Sequence, residues 1–214
     1  MNLSSTHVAS VFREYEARDA EEHKRMAALG RDLMAARDEF LLPIGPQVGA
    51  FLHALVLAKK PRRVLELGTS YGYSTLLLAD AVAQTGGRLI TMDVADYKQA
   101  YARAMIAKAG LANTVEFKLG DAVALIGKDP GPFDLVLLDI WKELYVSCLQ
   151  ALYPKLSDEG ILVADNMIEP AFARPEVRQY RQALRELEDL TTCLIPIGQG
   201  IELSVRWNPG NPKL

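Results

Sequence analysis

Two groups of residues in this 214-residue chain could do chemistry. The first is the run Glu66-Leu67-Gly68-Thr69-Ser70-Tyr71-Gly72-Tyr73-Ser74. Glycine at 68 and 72 lets the backbone turn sharply and approach a ligand closely. The spacing is Gly-x-x-x-Gly, not the Gly-x-Gly-x-x-Gly that rests a pyrophosphate on a helix N-terminus. A carboxylate just before the turn suits a ligand that is cationic there and repels a diphosphate. Asp93 follows at about the 20-residue interval at which a carboxylate accepts both hydrogen bonds of a ribose diol. Gly120-Asp121 could flank an adenine. The second group is Asp139-Ile140-Trp141-Lys142 together with Asp165-Asn166. Three hard oxygen donors suit Mg²⁺, which takes oxygen ligands and keeps positions open for water or substrate. His7, His23 and His53 all lie upstream of this group, so zinc is not expected. Trp141 offers a flat apolar wall for an aromatic ring.

These residues can meet only if they sit at one end of a parallel sheet. The chain has that pattern. Short β-rich runs at 63–67, 88–93, 114–119, 133–139 and 160–165 alternate with helical stretches at 73–83, 95–109 and 142–156. The unbroken apolar run of the fourth predicts a strand covered on both faces. Alternation of this kind implies a parallel sheet wrapped by helices, with ligands at the carboxyl ends of its strands. Neighbouring strands lie about 4.8 Å apart, so Asp139 and Asp165–Asn166 would converge. Two further runs, 191–197 and 201–207, flank Gly198-Gln199-Gly200 and read as a hairpin added at one edge.

Upstream, residues 5–40 read as helix, with Val8, Val11, Phe12 and Tyr15, then Met26, Leu29, Leu33 and Met34, at helical steps. Pro43 and Pro46 end this region, and 47–58 reads as one more helix, with His53 packed in its core face. After Pro175 a helix carries Val177, Tyr180, Leu184 and Leu187 on one face. Arg174, Arg178, Arg181 and Arg185 lie on the other, among glutamates, and read as a solvated face. The reading is a helical extension (1–40), one domain (41–207) and a polar tail (208–214) that frays.

Composition excludes several classes. With 50% hydrophobic and 24% charged residues the chain is neither disordered nor fibrous. A net charge of −3 argues against general nucleic-acid binding. No apolar run is long enough to cross a bilayer, and the first residues do not resemble a secretion signal. Cys148 and Cys193 match no zinc or redox spacing and read as reduced, partly buried thiols of a cytoplasmic protein.

The run Val64 to Ser74 resembles the first motif of class I S-adenosylmethionine-dependent methyltransferases. More narrowly, it is similar to the cation-dependent O-methyltransferase family of catechol and caffeoyl-CoA enzymes, over about Leu41 to Trp207. The resemblance implies a Rossmann-like α/β fold with a seven-stranded, mostly parallel sheet closed by an antiparallel hairpin. It implies that Glu66, Gly68, Tyr71, Gly72 and Ser74 line the methionine end of S-adenosylmethionine, that Asp93 holds the ribose, and that Gly120 and Asp121 lie near the adenine. Asp139, Asp165 and Asn166 would hold Mg²⁺, Mn²⁺ or Ca²⁺, with Asp139 also beside the cofactor. Lys142 would be the catalytic base, and Pro43, Trp141, Lys142 and Tyr145 would face the substrate. Two departures stand out. Ile140 replaces a residue that is often polar or small. No carboxylate between Leu190 and Ile197 matches the one that helps hold the second catechol hydroxyl.

The reaction so implied is methyl transfer from S-adenosylmethionine to a hydroxyl of a small vicinal diphenol. The family also suggests a homodimer. Two alternatives compete: methylation of a hydroxylated uridine in tRNA, against which the acidic charge counts, and a nicotinamide-dependent oxidoreductase, against which the missing dinucleotide motif counts. Retention of Lys142 and the oxygen donors opposes a non-catalytic binding module.

Overall fold

The computed structural model describes residues 2–29 and 36–207. The expected fraying of 208–214, and the part of the N-terminal stripe at Leu33 and Met34, lie outside the described residues. Seven strands form one sheet: β1 (Arg63–Leu67), β2 (Arg88–Asp93), β3 (Val115–Leu119), β4 (Phe133–Leu138), β5 (Leu156–Ala164), β6 (Leu190–Ile195) and β7 (Ile201–Arg206). Their order is β3-β2-β1-β4-β5-β7-β6. The first five pair in parallel and the last two pair antiparallel. The fold is therefore the class I methyltransferase arrangement with its closing hairpin. The order reverses at β1, so the carboxyl ends of β1 and β4 form a crevice with the chain leaving in opposite directions.

Strand side chains alternate between two cores. Val64, Leu89, Leu135, Leu137, Ile161 and Val163 face one cluster. Leu65, Leu67, Ile90, Met92, Val136, Leu138 and Leu162 face the other. Because both faces are covered, Leu135–Leu138 is apolar at every position, and all four residues are buried. The helices are α1 (Thr6–Leu29), α2 (Gly45–Lys59), α3 (Tyr73–Thr85), α4 (Asp96–Lys108), α5 (Ala122–Lys128), α6 (Tyr145–Leu152) and α7 (Arg174–Arg185). Every residue of α3 from Tyr73 to Val82 is buried, because the sheet, α1, α2 and α4 surround it.

Several boundaries differ from the sequence reading. The expected helix over 142–156 is a 3₁₀ turn (Lys142–Leu144), then α6, then a second 3₁₀ turn (Tyr153–Lys155) containing Pro154. Proline has no N–H for a helical ladder and cannot extend α6. β5 begins at Leu156 rather than 160 and shifts register between Phe133 and Leu135 of β4. Helix α5 was not expected; its seven residues are too few for a periodic signal, and Asp121 caps it by accepting from Ala124 N at 2.8 Å. In the N-terminal region expected to be helical over 5–40, α1 is described to Leu29, and a 3₁₀ turn covers Arg37–Glu39. Both cysteines are free; Cys148 is buried, but Cys193 is exposed on an edge strand rather than partly buried. On α7, Arg174 pairs with Glu169 at 3.1 Å and Arg181 with Glu202 at 2.9 Å, while Arg178 and Arg185 are exposed.

Helix α1 is not a loose appendage. Val8, Val11 and Tyr15 enter the first core. Just before the helix, the backbone N–H and hydroxyl of Ser4 donate to Asp80 of α3. His53 of α2 lies 2.9 Å from the other side of that carboxylate. Burial favours the neutral acid, but the bonds from His53 and Ser4 outweigh it and hold Asp80 below the ordinary carboxyl range. Its contribution to stability is present above the ordinary pKa of 3.8 and is lost as the pH falls through the lower folded value. Asp80→Ala leaves a buried histidine without its partner and is expected to lower the unfolding free energy by about 3 kcal/mol. Ser4→Ala should cost about 1 kcal/mol. Urea unfolding of the two variants at pH 7 measures both; equal, negligible losses would show that this tether contributes nothing.

Candidate active site

The turn after β1 is built by backbone conformations that glycine permits. Gly68 has φ +102° and Gly72 φ +92°, and Ser70 also enters the left-handed region at +45°. A Cβ on Gly68 would lie 2.0 Å from the carbonyl oxygen of Asp139. One on Gly72 would lie 2.8 Å from Ala102 Cβ and 2.9 Å from the Tyr15 hydroxyl. Only glycine at 68 lets the ends of β1 and β4 approach so closely. The turn is braced from behind: Tyr15 of α1 donates to the Tyr71 carbonyl at 2.6 Å, and Tyr73 donates to Glu16 at 2.5 Å. The Tyr71 ring lies beneath the Arg18 guanidinium, 4.0 Å from its centroid.

Glu66 is fully buried at the end of β1. Its Oε2 accepts from Thr75 of α3 and Thr91 of β2, each at 2.6 Å, whereas Oε1 is buried without a hydrogen-bond partner among the described residues. Desolvation pushes its carboxyl up to about 7, against the lowering effect of the nearby side chains of Ser74, Thr75 and Thr91. Asp93 closes β2 and accepts from Ser70 N at 2.7 Å and Ala95 N at 2.8 Å. Each of its oxygens keeps a lone pair for a further donor. Gly120, at φ +144°, donates to the Asp93 carbonyl at 2.9 Å. Val94 and Leu119 are exposed apolar residues on either side of this point, which the sequence reading did not single out.

The parallel ladders run one bond past the strand ends. Asp139 N donates to the Leu67 carbonyl at 2.9 Å, and Asp165 N to the Leu138 carbonyl at 3.1 Å. That fixes Glu66, Asp139 and Asp165 at successive strand tips. Lys142 lies among them. Its Nζ donates to Asn166 Oδ1 at 2.9 Å, to the Tyr145 hydroxyl at 2.6 Å and to the Ile140 carbonyl at 3.2 Å, and stands 3.9 Å from Asp139 Oδ1. Burial pulls the Lys142 pKa down, and the negative charges of Asp139 and Asp165 oppose it. Burial raises both aspartates, and the charge of Asp139 raises Asp165 further.

Asp165 Oδ1 is buried with no hydrogen-bond partner among the described residues. A carboxylate oxygen left bare beside a second carboxylate and an amide oxygen fits a hard divalent cation in both donor type and charge. No group of three or more His, Cys, Asp or Glu side chains capable of holding a metal occurs among the described residues. The third donor here is an amide.

The remaining expected residues fall at different depths. Trp141 is 42% exposed, and the Arg37 guanidinium covers its ring at 3.9 Å. Pro43 is half-buried in the segment before α2. Tyr145, expected to face substrate, is instead fully buried; its hydroxyl donates to the Leu138 carbonyl at 2.8 Å and receives Lys142. It supports the lysine from below. Asp121 is exposed, and its carboxylate is engaged as the α5 cap. Arg37 and Gln199 stand beside the site and were missed. Arg37 lies in the charged 3₁₀ turn Arg37–Glu39 and Gln199 in the hairpin turn, segments too short for sequence periodicity to carry information. The Gly-Gln-Gly turn was visible only as hairpin punctuation.

The O-methyltransferase family profile matches residues 16–207. Caffeoyl-CoA O-methyltransferase 2 of Populus trichocarpa is 28% identical over 197 residues, 82% of this chain and 79% of the relative. Catechol O-methyltransferase of Niastella koreensis is 36% identical over 132 residues, 59% of each chain. The crystal structure of a Bacillus cereus O-methyltransferase in complex with SAH superposes with a TM-score of 0.76 at 22% identity, covering 92% of this chain and 90% of that one. Among the described residues no helix is long and apolar enough to cross a membrane. The chain belongs to the O-methyltransferase family, the S-adenosylmethionine-dependent enzymes that its two motifs resemble.

Proposed function

We propose that this protein transfers a methyl group from S-adenosylmethionine to one hydroxyl of a small vicinal diphenol, in a reaction that requires a divalent cation. The observation that carries the reading is the convergence of Asp139, Asp165, Asn166 and Lys142 one strand away from the glycine turn. Glu66, with one bare oxygen, is suited to the ammonium of the cofactor's methionine end, beside Gly68, Gly72 and Ser74. Asp93 takes the ribose diol, and Val94, Leu119 and Gly120 line the adenine end. Asp139, Asp165 and Asn166 would hold the cation. Bound there, it supplies the Lewis acidity that makes a phenol, with an ordinary pKa of about 10, ionise near neutrality. Trp141 and Pro43 orient the ring. Holding the acceptor oxygen in line with the methyl group is itself worth several kcal/mol.

Lys142 is the base. As an ammonium it donates to Tyr145, Ile140 and Asn166, which aim Nζ into the cluster; burial lowers its pKa, and loss of one proton releases one of these bonds and leaves a lone pair. Nζ then accepts the proton of the reacting hydroxyl, and the charge it gains is balanced by Asp139. The acidic overall charge and the exposed apolar surfaces of Trp141, Leu42 and Phe172 favour a small aromatic acceptor over tRNA.

Labelled S-adenosylmethionine, offered with a panel of diphenols and with bulk tRNA, with and without EDTA, tests this directly. Label should pass to a diphenol, stop with EDTA and return with Mg²⁺; label on tRNA alone, or turnover indifferent to EDTA, would overturn the reading. Lys142→Met is expected to cut kcat by about 10²–10⁴-fold. Its cofactor affinity should stay unchanged in calorimetry. A variant as active as the parent would remove the base assignment.

The Glu66 carboxyl sets a pH dependence. Because its folded pKa of about 7 lies above the ordinary 4.5, protonation favours the fold, fully so below pH 4.5 and no longer above about 7. A cofactor ammonium prefers the carboxylate, so cofactor affinity should fall by up to about tenfold per pH unit below 7. In Glu66→Gln the dependence should vanish. A parent profile flat from pH 5.5 to 8 would contradict the pairing.

A further inference from the structure

The loop after β5 and the turn of the β6–β7 hairpin are joined by backbone bonds. Met167 N donates to the Gly200 carbonyl at 2.8 Å and Ile168 N to the Gln199 carbonyl at 2.9 Å. A Cβ on Gly200 would lie 2.4 Å from Ile168 Cγ1, so the contact is made against a bare backbone. Asn166 starts the loop in the left-handed region, with φ +57°, which asparagine adopts more readily than other side chains. Together these features set the side chain of Gln199 opposite that of Asn166.

The two amides then have one consistent orientation. An ammonium only donates, so Asn166 must turn Oδ1 to Lys142 Nζ, 2.9 Å away. Its Nδ2 therefore points the other way and donates to Gln199 Oε1 at 2.8 Å. Among the described residues Gln199 is the one side chain that accepts from Asn166 Nδ2. A cation that takes Asn166 Oδ1 competes with the bond from Lys142, and among the described residues Gln199 is then the side chain that still holds the amide in this orientation. Only Oδ1 can ligate a cation, so an amide free to flip would first have to be turned and held at a cost in affinity.

We infer that Gln199 is a positioning residue: by accepting from Asn166 Nδ2 it holds Oδ1 toward Asp139 and Asp165, so that the amide enters the cation site as an acceptor. The inference rests on the cation reading above, and its test separates the two. Mn²⁺ is titrated into the purified full chain and followed by electron paramagnetic resonance, for the parent, Gln199→Ala and Gln199→Glu. Loss of such an outer partner of a ligand costs about 10–100-fold in affinity. Gln199→Ala should weaken Mn²⁺ by at least the lower figure, with Tm and cofactor affinity unchanged. Gln199→Glu keeps the acceptor and should bind Mn²⁺ at least as tightly as the parent. A role confined to folding would instead lower Tm in both variants. If Gln199→Ala binds Mn²⁺ like the parent, or Gln199→Glu is as weak as Gln199→Ala, the positioning role fails while the cation reading stands. If the parent itself binds no Mn²⁺, both fail.

Discussion

Parallel pairing of β1 with β4 and of β4 with β5 forces three carboxylates to neighbouring strand tips. Glu66 lies near the end of its strand and Asp139 and Asp165 just follow theirs, and the register of these strands is set by buried apolar pairs such as Val64–Leu135 and Leu135–Ile161. None of the three can withdraw without breaking a ladder. Burial away from water disfavours ionisation and raises all three carboxyls, and the negative charge of Asp139 raises Glu66 and Asp165 further. The crevice is thus an electrostatic problem created by the sheet, and positive charge is the remedy. Lys142 supplies one such charge. The ammonium and sulfonium of the cofactor are others that the arrangement is suited to, and the proposed divalent cation would be a further one.

The supports around this cluster are arranged in layers. Tyr145 is buried beneath Lys142 and fixes it to the strand ends; Asn166 and Gln199 extend the same line of hydrogen bonds outward to the hairpin. On the cofactor side, Tyr15 and Glu16 of α1 reach the residues on either side of Gly72. The N-terminal helix therefore contributes to the shape of the glycine turn as well as to the core, and Ser4, His53 and Asp80 pin it in place. Segments remote in sequence share the work of holding one short turn rigid, as expected where a ligand must be met by backbone groups without reorganisation.

Much of the fold was legible from periodicity. β1 and β2 follow from β-rich runs bounded by glycine, and the apolar run in β4 follows from burial on both faces. The short helix α5 was not legible, since seven residues cannot display a 3.6-residue period. The break of 142–156 into three pieces depends on Pro154 and on β5 starting early to pair with Phe133, a long-range choice. The site residues were legible by type and by position at strand ends, but their depth was not. Tyr145 looked like a residue facing an acceptor, and the fold buries it.

Local chemistry decided which groups are available. The glycines at 68 and 72, the acidic residues at 66, 93, 139 and 165, and the lysine at 142 are properties of the sequence. So is the alternation of strands and helices that brings them to one end of a sheet. What a linear pattern cannot contain is which irregular segments meet there. The placement of Gln199 against Asn166, of Arg37 over Trp141 and of Tyr15 behind Tyr71 arises from contacts between segments 33, 104 and 56 residues apart. Such contacts are decided by how the whole chain packs, because loops carry no repeating signal and only the assembled sheet determines where their ends emerge.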